Sequence, residues 1–132
     1  MRRKSTEALT PAEWKIMKIV WEIESGSARE IHEIADKRHQ WAPTTVKTIL
    51  SNLVEKGHLK VRDEGNKYIY RPAAPAIEIL THAADDFMDK SVEEVRGQLL
   101  CYMANKVKLS PNDIDELQSI LDQHKDRENE KR

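Results

Sequence analysis

The chain has 132 residues, with 22 Lys and Arg against 23 Asp and Glu, and 5% of its residues are aromatic. No apolar run reaches the roughly 20 residues that a membrane-spanning helix needs, and the basic start MRRKSTEALT precedes no apolar segment of the kind found in secretory signals. The single Cys101 excludes an internal disulfide. We therefore expect a soluble cytoplasmic protein of one domain, or of two small domains, that needs neither metal nor cofactor.

The first two helices have marked starts. Thr10, Pro11 and Glu13 predict an N-cap, a first helical position and a capping box for a helix that runs to about residue 24 and is ended by Gly26. A second capping box, SARE over 27–30, starts the next helix. The residues predicted to point inward are Trp14, Ile16, Met17, Val20, Trp21 and Ile23 in the first helix, and Ile31, Ile34 and Ala35 in the second.

The third predicted helix begins at Pro43, after the break WAP, and Gly57 ends it. Its buried stripe is Val46, Ile49, Leu50 and Leu53. Beyond it, HLKVR and KYIYR alternate like strands around DEGN, which predicts a β-hairpin with Gly65 and Asn66 at positive φ. Three helices followed by a basic hairpin have the order of a winged helix-turn-helix, whose second motif helix enters the major groove of DNA.

The outer face of the third helix carries short hydroxyl side chains, although Thr and Ser are indifferent helix formers. Such side chains suit a helix that must approach base edges closely. The residues expected to contact DNA are Trp41, Pro43, Thr44, Thr45, Lys47, Thr48, Ser51, Asn52, Lys60, Arg62 and Lys67. Among them, Thr44, Thr45, Thr48 and Asn52 are expected to read bases or the phosphates beside them, and the four cations to hold the DNA backbone. Trp41 suits either packing or a phosphate contact through its indole N–H.

Charge is divided unevenly along the chain. Residues 1–71 hold 14 Lys and Arg against 10 Asp and Glu, whereas residues 72–132 hold 8 against 13. Ordinary surface charge explains this as well as a polyanion partner for the first half does.

After RPAAP (71–75) the pattern is wholly helical. Three helices are predicted: one lined by Ile77, Leu80, Ala84, Phe87 and Met88, one capped by SVEE (91–94), and one capped by SPND (110–113), before a frayed polar tail. Because these helices are too small to bury much surface alone, pairing with a second copy is expected. The candidate dimer contacts are Leu80, Phe87, Val95, Leu99, Ile114, Leu117 and Leu121. The fold class is thus mostly α with a small β-hairpin wing: a winged helix over 1–73 and a helical dimerisation region over 74–132.

Three stretches resemble the BlaI/MecI/CopY family of bacterial repressors: LTPAEWKIMKIVW, WAPTTVKTILSNLVEKG and YIYRP. The resemblance covers residues 9–72 closely and the helical tail more loosely to about 122. It implies a homodimer that binds a dyad-symmetric operator and represses β-lactamase, methicillin-resistance or copper-transport genes. In one branch a sensor-linked protease system leads to cleavage in the dimerisation region, and in the copper branch paired C-x-C motifs bind metal.

The sequence departs from that family at two points. It has no C-x-C motif, so copper sensing by thiolates is unsupported, and a lone Cys101 on a helix is expected to be a small buried residue. The nearest counterpart of the family's cleaved Asn-Phe bond is Cys101-Tyr102, the candidate cleavage site. Two alternatives remain: a copper-responsive repressor that has lost its metal motif, and a winged-helix module that binds proteins rather than DNA. No enzyme is expected, since no phosphate loop or nucleophile-base signature occurs.

Overall fold

The computed structural model describes residues 8–131, so the basic segment 1–7 lies outside the described residues. These residues form six α-helices, a single 3-10 turn and a small antiparallel sheet. The helices are α1 (Pro11–Ile23), α2 (Ala28–His39), α3 (Pro43–Lys56), α4 (Ala76–Lys90), α5 (Arg96–Lys106) and α6 (Pro111–Glu130). The strands are β1 (Gly26–Ser27), β2 (Leu59–Asp63) and β3 (Tyr68–Pro72), and the 3-10 turn is Glu93–Val95.

The first three helices and the hairpin confirm the predicted winged helix-turn-helix. One apolar cluster joins all three helices to the first residue of the hairpin, and its members are Ile16, Met17, Ile19, Val20, Ile31, Ala35, Val46, Ile49, Leu50, Leu53 and Leu59. The predicted stripe of α3 is therefore buried as expected. Ile19 was missed, although it is fully buried. Trp21 packs against this core half-buried, and Trp14 lies 6.2 Å from it between ring centroids.

The caps predicted for α1, α2 and α6 form, and each of them is a capping box. In each, the N-cap hydroxyl accepts from the third residue of the helix, whose carboxylate accepts from the N-cap backbone N–H. The cap predicted at Ser91 does not form. Arg96 Nε instead donates to Ser91 Oγ at 3.1 Å, and α5 starts later, after a 3-10 turn and without a side-chain cap. The Ser91 hydroxyl also donates to the Met88 carbonyl at 2.9 Å, so both of its contacts lie outside the start of α5 that was predicted there.

Two glycine-related predictions need correction. Gly26 does not end α1, because Glu24 takes the positive φ there and Gly26 pairs with Tyr70 in the sheet. A Cβ on Gly26 would lie 2.8 Å from Ile23 Cδ1, so a larger residue here would require the end of the Ile23 side chain to move. In the hairpin turn, Gly65 has φ 84°, but Asn66 is not among the described residues with positive φ.

The remaining helices differ from expectation in burial and length. α6 continues to Glu130, so the tail predicted to fray is helical. Cys101 is exposed rather than buried, because α5 buries no residue within the chain. The described chain separates into two compact units between Phe87 and Met88, and the domain limits 1–73 and 74–132 stay a prediction. None of the helices in 8–131 is long and apolar enough to cross a membrane.

Candidate nucleic-acid interface

The outer face of α3 is open along its whole length. Thr44, Thr45, Lys47, Thr48, Ser51 and Asn52 are all exposed, as is Pro43 at the first helical position. The opposite stripe is buried in the core, so the helix has a fixed rotation and presents these side chains together. A helix of 14 residues is about 21 Å long, which is enough to follow a major groove for several base pairs.

The N-terminus of α3 differs from those of the three capped helices. Its N-cap is Ala42, which provides no side-chain hydrogen bond, and Pro43 has no N–H. The first-turn N–H groups and the positive end of the helix dipole are therefore left for another acceptor. The preceding turn is held in place because His32 Nε2 donates to the Trp41 carbonyl at 2.9 Å.

Trp41 itself lies half-buried against the core, with its ring centroid 4.9 Å from that of His39 and 5.9 Å from Lys15 Nζ. Of the two roles expected for this residue, packing is present. A phosphate contact through the indole N–H stays a prediction.

The C-terminus of α3 is tied to α1 by an ion pair. Lys56 Nζ lies 2.8 Å from Glu13 Oε1, and this oxygen also accepts from the Thr10 backbone N–H. The Glu13 side chain is only 5% exposed, so the pair is protected from water and salt. The orientation of α3 is thus fixed at both ends, which a helix that reads bases requires.

A basic cleft lies between the start of α2 and the hairpin. β1 pairs with β3 through Gly26 and Tyr70 and through Ser27 and Ile69, which places the first turn of α2 beside the hairpin. The cleft has a volume of about 700 Å³, and three cations from different elements line it. The full lining is Ser27, Ala28, Arg29, Glu30, Lys47, Asn66, Lys67, Tyr68 and Tyr70.

Two groups in this cleft have shifted pKa values. The Ser27 backbone N–H, which donates to Glu30 Oε1 at 2.8 Å, holds the pKa of Glu30 below its usual 4.5, and the charge of Lys67 lowers it further. Burial raises the pKa of Tyr70, and the neighbouring Tyr68 raises it too. The Tyr70 phenol therefore keeps its proton at neutral pH and can donate a hydrogen bond. One carboxylate among three cations leaves the cleft net positive.

The cations predicted to hold DNA do not all lie together. Lys47 and Lys67 share the cleft with Tyr68 and Tyr70. In β2, Val61 pairs with Tyr70, so Val61 shares the face of the cleft, whereas Lys60 and Arg62 alternate to the other face of the sheet. Arg62 also pairs with Glu64 on the hairpin, where its Nε donates at 2.8 Å. That pair is exposed and therefore weak.

Sequence reasoning missed Arg29, Tyr68 and Tyr70. The cleft depends on the pairing of β1 with β3, and a two-residue strand carries no periodicity that a sequence pattern can reveal. One local signal was present. Arg29 places a cation in the first turn of α2, where the helix dipole favours anions, and a residue that violates a local rule often serves function.

No group of three or more His, Cys, Asp or Glu residues within 8–131 lies close enough together to hold a metal ion. The described residues thus present a hydroxyl-rich helix, a basic cleft beside it, and two further cations on the other face of the hairpin.

The model of the penicillinase repressor family matches residues 9–123. The chain belongs to this family. The match confirms the resemblance to BlaI, MecI and CopY repressors found from the sequence, and it extends through α5 and into α6.

Two curated relatives and one solved structure illustrate the match. An uncharacterised 16.5 kDa protein of Latilactobacillus sakei is 30% identical over 89% of this chain and 81% of its own length. The penicillinase repressor of Bacillus licheniformis is 27% identical over 96% of this chain and 99% of its own length. The solution structure of the DNA-binding domain of the repressor BlaI is 29% identical, with a TM-score of 0.52, and covers 58% of this chain and 90% of that one.

In this family member, the residues predicted to form a dimer are mostly open to solvent in the single chain. Leu99 is half-buried. The others are between 40% and 55% exposed: Leu80, Phe87, Val95, Ile114, Leu117 and Leu121. No described residue of α5 or α6 is fully buried, so much of their large apolar surface stays open to solvent in the single chain.

Proposed function

We propose that this protein is a transcriptional repressor that binds operator DNA through α3 and the hairpin. The observation that carries the proposal is the exposed hydroxyl face of α3, fixed at both ends, beside a cleft lined by three cations. Thr44, Thr48 and Asn52 would face base edges in the major groove, where short polar side chains can donate and accept hydrogen bonds. Membership of the penicillinase repressor family and the likeness to the DNA-binding domain of BlaI support this reading.

The cleft would hold the sugar-phosphate backbone beside that groove. Phosphate contacts position a protein on the duplex without reading its sequence, and Lys47, Lys67 and Arg29 are suited to that role. The protonated Tyr70 phenol adds a neutral donor. Lys60 and Arg62 lie on the other face of the hairpin. They would contact a phosphate only if the hairpin entered a DNA groove edge-on, between the two DNA strands.

The repressor would act as a homodimer. The exposed apolar side chains of α6 recur at Ile114, Leu117 and Leu121, which lie on one helix face at spacings of three and four. Such a face on an otherwise polar helix is typical of an interaction surface. Two copies would place two α3 helices on half-sites about 10 bp apart, and each half-site would strengthen binding at the other.

Repression would be relieved by loss of the dimer through proteolysis near 101–108, by a sensor-linked protease. The Cys101–Tyr102 bond lies within α5, so a protease that needs an extended substrate would first have to unfold that helix locally. Val107, just after α5, is already extended, at φ −93° and ψ 155°. Cleavage at either place would separate α6 from the winged helix.

DNA binding is tested by fluorescence anisotropy with a labelled DNA fragment taken from the region upstream of the protein's own gene. A scrambled fragment of the same length is the control, and each is titrated at low and at physiological salt. Tight, salt-sensitive binding that prefers the natural fragment supports the repressor. No binding to either fragment at low salt would overturn it and favour a winged-helix module that binds proteins.

A further inference from the structure

A second cavity lies where β3 ends and α4 begins, away from the α3 face. It has a volume of about 480 Å³, within the range of small-molecule sites. Pro72, Ala73 and Pro75 form an apolar wall, and Trp21 of α1 lines it as well. The DNA-facing side chains of α3 and the hairpin tip take no part in this lining.

Trp21, one of the residues that line this cavity, has a hydrogen-bond donor with no partner among the described residues. This donor is the indole Nε1, which is buried. Buried polar groups are nearly always paired, and the described residues provide no partner for this N–H. Trp14 and Trp41 do not share this feature.

Two opposite charges also line the cavity without pairing. Glu24 and Arg71 are both among the lining residues, yet within the described chain neither takes part in a salt bridge. Glu24 ends α1 at φ 72° and ψ −36°, outside the usual left-handed region, and is one of two non-glycine residues in 8–131 with positive φ. Strained backbone of this kind is concentrated at binding sites, where the surroundings hold it in place.

We propose that this cavity binds a small zwitterion, namely an α-amino acid with an apolar side chain. The ligand carboxylate would accept from the Arg71 guanidinium, and its ammonium would donate to the Glu24 carboxylate, with Trp21 in the same lining. The apolar side chain would lie against Pro72 and Pro75. Arg71 alone would suit any carboxylate, but the Glu24 carboxylate restricts the class to ligands that carry both charges. The proposal is independent of DNA binding.

The indole N–H resonances of the full-length protein labelled with ¹⁵N provide the assay. L-leucine is the probe, and two analogues are matched controls: N-acetyl-L-leucine, which lacks the ammonium, and L-leucinamide, which lacks the carboxylate. The Trp21→Phe variant assigns the Trp21 resonance, and Trp41 serves as an internal reference. No DNA is present, so failure here is separate from failure of the proposed function.

We expect leucine to shift the Trp21 resonance saturably and leave that of Trp41 in place. Each analogue should bind at least about tenfold more weakly, because it leaves a charged group without its hydrogen-bonded partner. The Arg71→Gln variant lacks the partner of the carboxylate, so it should bind leucine and leucinamide about equally. The Glu24→Gln variant lacks the partner of the ammonium, so it should bind leucine and N-acetyl-L-leucine about equally. An unshifted Trp21 resonance at millimolar leucine, or equal shifts with all three ligands, would overturn the proposal.

Discussion

Replacing Arg29 with Gln separates DNA binding from stability. The Arg29 side chain is 91% exposed, and its nearest carboxylate, Glu33, lies 3.9 Å away, so little packing is lost. Because a cation in the first turn of α2 opposes the helix dipole, the free energy of unfolding should stay equal or rise by up to about 1 kcal/mol. The substitution nevertheless removes one of three cations from the cleft.

The expected loss in DNA binding follows from counterion release. Each phosphate contact contributes about −0.9 to the slope of log K against log salt, so a dimer that loses one contact per subunit loses about 1.8. Between 50 and 200 mM salt the wild-type affinity should therefore fall about 12-fold more than that of the variant. Fluorescence anisotropy on the operator fragment at several salt concentrations measures both slopes.

Lys37→Gln is the matched control. It removes the same charge from the same helix, but from its last turn, eight residues or about 12 Å along the axis. Its salt slope should equal that of the wild type. If both variants changed the slope equally, or if Arg29→Gln left it unchanged, the cleft would not be a phosphate-binding surface.

Three further outcomes follow from the same structure. Lys56→Met should lower the free energy of unfolding, measured in urea, by about 1.5–3 kcal/mol, because it leaves the buried Glu13 carboxylate without its counter-ion. Adding Glu13→Gln to the same chain should restore part of the loss. A loss under about 0.5 kcal/mol would contradict this. The depressed pKa of Glu30 means that its ionised form stabilises the fold above pH 4.5, so Glu30→Gln should be less stable than wild type at neutral pH, and the difference should vanish as pH falls through the folded pKa. A difference independent of pH would exclude that origin. A chain ending at Asn105 should keep a folded winged helix, yet sediment as a monomer and bind the operator far more weakly than the full chain. Copper and zinc should leave the full chain bound to DNA. Tight binding by the truncated chain, or release of the full chain by metal, would refute dimer loss as the route by which repression is relieved.

Local signals explain what could be predicted from the sequence. The capping boxes at Thr10, Ser27 and Ser110 involve residues three apart, so the sequence contains all the partners. The buried stripe of α3 follows from helical spacing in the same way. The cap predicted at Ser91 is not formed, and the hydroxyl instead donates to the Met88 carbonyl and accepts from Arg96 Nε.

Contacts distant in sequence explain what could not be predicted. The pairing of Gly26 with Tyr70 joins residues 44 positions apart, and without it the cleft of Arg29, Lys47 and Lys67 does not exist. The exposure of Cys101 has a related cause. Cys101 lies at a helical position where the apolar spacing indicates burial, yet no described residue of α5 is buried within the chain. The apolar spacing alone does not indicate which surface would cover the residue.

The division of roles between α3 and the cleft is tested most directly by comparing Thr48→Ala with Lys67→Gln. Affinities for the operator fragment and for a scrambled fragment are measured for each variant at one salt concentration. Thr48→Ala should lower the preference for the operator, because a base-reading contact is lost. Lys67→Gln should weaken binding to both fragments about equally and leave the preference unchanged. If the two variants gave the same pattern, the hydroxyl face of α3 would not be the surface that reads the operator.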